Sequence, residues 1–244
     1  GGSEIKTGLC IVAKRVDTDS TWYLLNHPEG KFFKHGEGML LRHAIRASTA
    51  APTYFDPEEI DVGFGQIGVF VDGGVSMANN PALALFLIAT LDGYAFKWET
   101  GEDKILLVSI GTGVWDDRSQ TDAVTGFNVI DWAKRVPSMI MNDASWHNQL
   151  ILQSIAKTQT PWEIDSEVGF GQLLTPQPLL TYLRYNAWLD TNGLQKLGFG
   201  EMVGNLASLR EMSAGENRFD LAKIGEKAAE KQILDEHFSD DFKI

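Results

Sequence analysis

Apolar and polar positions alternate first near the start of the chain. Leu9-Cys10-Ile11-Val12-Ala13-Lys14-Arg15-Val16 is rich in β-branched residues and predicts a strand. Asp17-Thr18-Asp19-Ser20 is a turn cluster, and Thr21-Trp22-Tyr23-Leu24-Leu25 returns as a second strand, so the pair reads as a hairpin. A polar loop follows over 26–38. Leu40, Leu41, Ala44 and Ile45 then share one face of a short helix over 39–47, which ends before Ala51-Pro52. Two short strands, 59–64 and 68–72, flank a glycine-rich turn, and Val69-Phe70-Val71 is continuously apolar, as a buried strand is. Asn80 and Pro81 read as N-cap and first residue of a helix to about Leu91. A buried strand over 104–110 runs into Gly111-Thr112-Gly113. Strand, helix and strand in this order predict a βαβ unit and a parallel sheet. Beyond Trp115 the pattern turns helical: 128–157 with a break at Pro137, then 205–212 and 221–238, with one more strand over 179–189.

Composition narrows the class of protein. The 244 residues are 43% hydrophobic and 22% charged, which is ordinary for a globular chain. The longest apolar run, Ala82 to Leu91, falls short of the roughly 18–20 residues that a membrane span needs. No secretory signal pattern opens the chain. A net charge of −12 repels phosphate backbones, which argues against nucleic acid as a partner, and it gives no help in adsorbing to anionic lipid. The single cysteine, Cys10, excludes an internal disulfide and fits a reducing compartment, so the expected location is cytoplasmic. Its apolar neighbours favour a buried strand thiol over a nucleophile.

The most informative constellation is Phe70-Val71-Asp72-Gly73-Gly74-Val75-Ser76-Met77-Ala78-Asn79-Asn80-Pro81. An acid ends a buried strand, two glycines follow, and then a capped helix begins. Ligand sites of α/β sheets lie at carboxyl ends of strands. A carboxylate held there is placed to act as a base; equally, Asp72 would serve only to cap a turn made by Gly73 and Gly74. His27, His35, His43, His147 and His237 are scattered without metal-ligand spacing, and no metal-binding or cofactor-binding residue is assigned. Gly111-Thr112-Gly113 has neither the Gly-Lys-Ser/Thr ending of a phosphate loop nor the third glycine of a dinucleotide fingerprint, and Ser109 beside it reads as a strand-end residue. Trp115, Trp132, Trp146, Trp162 and Trp188 fit ordinary core better than an acyl-chain pocket or a lipid-facing surface. For Arg46 and Arg184, structural pairing weighs at least as much as a headgroup phosphate.

Taken in order, Arg46-Ala47-Ser48-Thr49-Ala50-Ala51-Pro52, Asp72-Gly73-Gly74, Asn79-Asn80-Pro81 and Ser109-Ile110-Gly111-Thr112-Gly113 closely resemble the patatin-like phospholipase family. The late segments Thr181-Tyr182-Leu183-Arg184-Tyr185 and Glu236-His237-Phe238 resemble bacterial members. The resemblance implies a three-layer α/β fold with a mainly parallel central sheet flanked by helices. It implies one domain over 1–244, with a core sheet and helix region at 1–113 and a mainly helical region at 114–244. It also implies hydrolysis of lipid or phospholipid esters by a Ser–Asp dyad without a cofactor. Asp72 matches the dyad aspartate, with Gly73 and Gly74 supporting the motif.

The chain departs from that pattern in one respect: it holds no Gly-x-Ser-x-Gly elbow and no glycine-rich oxyanion loop, and the nearest groupings are Gly74-Val75-Ser76 and Gly1-Gly2-Ser3. With no initiator Met, the expectation is that an N-terminal portion of the domain is missing and that this chain supplies the Asp but not the Ser. Unpaired sheet edges would follow, to be completed by the missing segment or another chain. Peripheral contact with a membrane stays open. The alternative is a non-catalytic module of the same fold, a pseudoenzyme acting in protein interaction.

Overall fold

A computed structural model of the chain describes residues 5–36, 38–63, 65–115, 121–165, 167–168 and 173–242. Gly1-Gly2-Ser3, and Phe64 at the end of an expected strand, lie outside the described residues. In chain order the elements are β1 Cys10–Arg15, β2 Ser20–Leu25, α1 Phe33–Gly36, α2 Leu41–Ser48, β3 Glu58–Gly63, β4 Gln66–Asp72, α3 Ala82–Thr90, β5 Leu106–Ile110, α4 Thr121–Thr125, α5 Val129–Ile155, β6 Glu163–Ile164, β7 Glu167–Val168, β8 Thr181–Tyr185, α6 Thr191–Leu197, α7 Leu206–Leu209 and α8 Arg218–Gln232. The chain divides into two compact units: Gly1–Thr100 with Asn128–Leu152, and Gly101–Phe127 with Gln153–Ile244.

The first unit is built on a four-stranded sheet in the order β2-β1-β4-β3, antiparallel at every pairing. The β1–β2 hairpin closes at Arg15 opposite Ser20. Its corner is locked by Arg15, which is buried and donates to both oxygens of Asp17 at 2.7–3.0 Å, while Asp17 Oδ1 accepts the Val69 N–H at 3.0 Å. Those hydrogen bonds, led by the one from Arg15, hold the Asp17 carboxyl down at about 2. Helix α2 buries Ala44 and Ala47, and Ala47 packs with Ala13, Ile60 and Phe70 on one face of the sheet. Small side chains at these positions let the helix approach the strands closely. Helix α3 is assigned from Ala82, but Pro81 already has helical angles (φ −78°, ψ −1°) and Asn80 Oδ1 accepts the Ala82 N–H at 3.3 Å. The capping reading of Asn80-Pro81 therefore holds one residue ahead of the assigned start.

Two expectations need correction. The sheet of the first unit is antiparallel, not mainly parallel, and β4, α3 and β5 do not form a βαβ unit. Both edges of β4 are taken by local antiparallel partners, β1 and β3, so no edge is left for β5. Among the described residues parallel pairing falls in the second unit, between β5 and β8, with single parallel bridges from Val114 to Trp188 and from Lys157 to Thr181. Helix α5 is also continuous through Pro137. A proline there removes one N–H donor. Its surroundings, including Trp132, Val136, Met139 and Ile140, are exposed, so water reaches the carbonyl left without a partner.

In the second unit, β5 and β8 run in register from Leu106 opposite Thr181 to Ile110 opposite Tyr185. Leu189, Leu194, Leu197, Leu209, Ile224 and Ala228 make its buried cluster. Asp190 caps α6 by accepting the Gly193 N–H at 2.6 Å. Among the described residues no helix is long and apolar enough to cross a membrane.

Candidate active site at the end of β4

The carboxyl end of β4 is fixed from both sides before its side chains are considered. Beyond the reach of β3, the segment after α2 continues the pairing: the Asp72 N–H donates to the Ala50 carbonyl at 3.0 Å and the Gly73 N–H to the Ser48 carbonyl at 3.2 Å. On the other side Asp72 stands opposite Ala13 of β1. The Arg-Ala-Ser-Thr-Ala segment and the Asp-Gly-Gly turn, read separately in the sequence, are thus hydrogen-bonded neighbours. Opposed residues of an antiparallel pair share a face, so the Asp72 side chain projects on the side of Ala13 and Phe70, the face that α2 covers.

Asp72 is half-buried. Its Oδ1 accepts the Gly74 N–H at 2.7 Å. Among the described residues that is its one side-chain hydrogen bond, which leaves Oδ2 as an acceptor without a protein partner. A carboxylate with one oxygen pinned and the other open is oriented and keeps lone pairs free to accept a hydrogen bond. Gly73 is required by packing: a Cβ there would lie 2.3 Å from the Val12 carbonyl oxygen. At Gly74 a Cβ would lie 2.9 Å from Asn79 Oδ1 and 3.0 Å from Asp72 Oδ1. The two glycines therefore admit, respectively, a neighbouring strand's backbone and the carboxylate itself.

Ser76 lies in the same turn but is committed elsewhere. Its hydroxyl donates to the Gly73 carbonyl at 2.6 Å and accepts the Ala78 N–H at 3.1 Å. No serine is hydrogen-bonded to Asp72 among the described residues.

Helix α5 holds the rest of the loop, a role sequence reasoning missed. Asn148 Nδ2 donates to the carbonyls of Met77 (2.6 Å) and Asn80 (3.0 Å). Asn79 Nδ2 donates to Ser145 Oγ at 3.0 Å. Asn148, Gln149 and Gln153 are buried. Buried polar side chains on a helix need partners, and their helical spacing in Asn148-Gln149 and Gln153 was the signal available. The loop leaves Val75 38% and Met77 60% exposed, an apolar rim beside the carboxylate.

Other candidates resolve as structural. Arg46 donates to the Asp56 carbonyl at 2.9 Å and lies 5.1 Å over the Phe55 ring. Arg184 donates to Ser109 Oγ at 2.8 Å, and burial pulls its pKa down. Cys10 is partly buried in β1, and burial pushes its thiol up to about 11, so it stays protonated at neutral pH. The core reading of the tryptophans fails for three of the five: Trp115, Trp132 and Trp188 are exposed, while Trp162 and Trp188 stack at 5.5 Å and Trp115 lies under Arg210. A cavity of about 610 Å³ in the first unit is lined by none of the five tryptophans considered above; it surrounds β2 instead.

With this geometry in place, comparison with known proteins is direct. Residues 11–86 match the family model described as Patatin-like phospholipase, a family of lipid hydrolases. That span holds the β1–β2 hairpin, α2, the Asp72 turn and most of α3. No curated protein and no solved structure matches the chain.

Proposed function

We propose that this chain carries the aspartate half of a lipid acyl hydrolase, with Asp72 as the general base of a Ser–Asp dyad. The observation that carries the reading is the open Oδ2 of a carboxylate whose Oδ1 is pinned to the Gly74 N–H, at a strand end inside the matched span. The nucleophile of such a dyad is a serine in a Gly-x-Ser-x-Gly elbow with oxyanion donors beside it, and these 244 residues contain no such elbow. Asp72 Oδ2 accepts the serine proton as Oγ bonds to the ester carbonyl carbon. The C–O bond to the alcohol breaks and the alcohol leaves with that proton. Water then attacks the acyl-enzyme, giving its proton to Asp72 and releasing the fatty acid, and the proton returns to the serine. Val75 and Met77 offer the apolar contact for the lipid, and at a net charge of −12 any approach to a membrane is carried by such apolar patches.

The test is Asp72→Asn in the protein that carries the elbow. Hydrolysis of a short-chain p-nitrophenyl ester should fall by about a thousandfold or more. Turnover within a few-fold of the parent would remove Asp72 from the chemistry. A second reading, a non-catalytic module of this fold, draws on the turn-capping task Asp72 Oδ1 already performs. A full-length coding frame without the Gly-x-Ser-x-Gly elbow would decide for it.

A further inference from the structure

We propose that Asn79 is a second acceptor of the site: its Oδ1 and Asp72 Oδ2 together hold the water that releases the fatty acid. The inference rests on the reading of Asp72 as general base. Asn79 lies where the loop after Asp72 comes back past Gly74. Its amide orientation is set by α5. Ser145 Oγ gives its hydrogen to the Met141 carbonyl at 3.0 Å, so toward Asn79 it can only accept. Asn79 Nδ2 supplies that hydrogen at 3.0 Å and also donates to the Met141 carbonyl at 3.3 Å. Turned over, the amide would set its oxygen against two acceptors. Oδ1 is therefore fixed on the other side, toward Gly74.

That side brings two side-chain oxygens to one place. The point where a Cβ on Gly74 would stand is 2.9 Å from Asn79 Oδ1 and 3.0 Å from Asp72 Oδ1. Asn79 and the Asp72 carboxylate are thus within reach of one small donor lodged beside Gly74. Met141 Cε, 3.5 Å from the same point, closes the α5 side with an apolar group. Among the described residues Asn79 Oδ1 accepts no hydrogen bond, and the Asp72 carboxylate accepts only the one from Gly74. Neither Asn79 Oδ1 nor Asp72 Oδ2 is among the buried polar atoms that lack a partner, so solvent reaches both.

Two convergent acceptors call for a donor with two hydrogens. A serine hydroxyl has one, which goes to Asp72 Oδ2 and leaves Asn79 Oδ1 unmatched. Two oxygens are too few for a divalent cation, which takes about six. Water matches both. Its oxygen bonds to the acyl carbonyl carbon, one hydrogen passes as a proton to Asp72 Oδ2, and the other stays on the oxygen and donates to Asn79 Oδ1. The tetrahedral carbon then releases serine Oγ, which takes the proton back from Asp72, and the fatty acid leaves with the second hydrogen. Holding that hydrogen turns a lone pair of the water toward the acyl carbon. The rival occupant of Asn79 Oδ1 is a backbone N–H from a further segment of the domain. It would satisfy that oxygen alone and leave no bridging water.

The first measurement is a high-resolution crystal structure of the chain, alone and in the protein that carries the elbow. An ordered water should lie within about 3.2 Å of both Asp72 Oδ2 and Asn79 Oδ1. A protein N–H on Asn79 Oδ1, or a water that touches Asp72 alone, overturns the proposal. The second measurement is the fate of the acyl group when methanol competes with water for a short-chain p-nitrophenyl ester. Methanol has one hydrogen to give, so it needs Asp72 and not Asn79. Asn79→Ala should therefore raise the ratio of methyl ester to free acid about tenfold. Asn79→Leu keeps the branching of the side chain without an acceptor and should do the same, which covers an alanine variant that fails to fold. Ser145→Ala loosens the tie to α5 but leaves Asn79 Oδ1, so its ratio should stay within about twofold of the parent. Equal losses of both products in the Asn79 variants, or the same shift in Ser145→Ala, would make Asn79 a structural residue and overturn the proposal. Near-parental turnover in Asp72→Asn would sink the base reading itself, and this role for the water with it, even where the bridging water is seen.

Discussion

Two strand ends in this molecule look alike in sequence and differ in what they leave open. In the first unit, β4 ends in Asp72-Gly73-Gly74; in the second, β5 ends in Gly111-Thr112-Gly113. At the second, the space beside the turn is filled by one side chain. A Cβ on Gly111 would lie 2.3 Å from Asn186 Cγ, and Asn186 Oδ1 accepts the N–H of both Gly113 (2.8 Å) and Ala187 (3.0 Å). That turn has spent its polar groups on itself. At the first, the neighbour is the backbone of β1, the acid belongs to the turn, and one carboxylate oxygen remains unused. Glycine pairs after strands mark close approach in both places; only the identity of what approaches separates a structural corner from a candidate site.

The largest effect should come from Gly73→Ala. Its Cβ meets the Val12 carbonyl, which is fixed within the sheet and has no rotamer to change. A loss of about 3 kcal/mol is expected, seen as a fall of about 9 °C in the melting of the first unit. A variant as stable as the parent would mean that β1 and the turn are not held this tightly.

How much of this was legible beforehand varies with the kind of information. The β1–β2 hairpin could be read because alternation and the Asp17–Ser20 turn cluster act locally and agree. Asp72 could be singled out because an acid after Val69-Phe70-Val71 breaks an apolar run at a strand end. The neighbours of β4 could not be read, since a period of two identifies a strand without naming its partner. Here the short β3–β4 connection and the return of β1 occupied both edges. The α5 clamp was hidden for a related reason: Asn148 reaches Asn80 across 68 positions and Asn79 reaches Ser145 across 66, beyond any local pattern. The β2 cavity was hidden because Asp92-Gly93-Tyr94-Ala95, part of its wall, has no periodicity.

At the second strand end the obstacle is a side chain, so it can be removed. Gly111→Ala should cost about 2 kcal/mol in the parent. Asn186→Ala should itself cost about 1 kcal/mol, because two N–H groups lose their acceptor. Combined, the pair should cost less than the sum by about 1 kcal/mol, since the added methyl group then occupies vacated space. Additive costs in chemical denaturation would mean that Asn186 does not set the shape of this corner, and the contrast with the β4 turn would weaken.

The smallest effect sharpens the contrast most. Asp72→Asn keeps a side-chain oxygen where Asp72 Oδ1 now accepts the Gly74 N–H, so the turn retains its cap and stability should change by less than about 1 kcal/mol. The substitution replaces the second oxygen by an amide nitrogen while leaving Gly73 against Val12 and the loop tied to Asn148. A corner whose acid serves only the fold would lose stability in proportion to its lost hydrogen bond and nothing else. A corner whose acid serves chemistry would keep its stability and lose turnover. Loss of 2 kcal/mol or more in equilibrium unfolding of the variant would place Asp72 with Asn186, as a residue that the fold itself consumes.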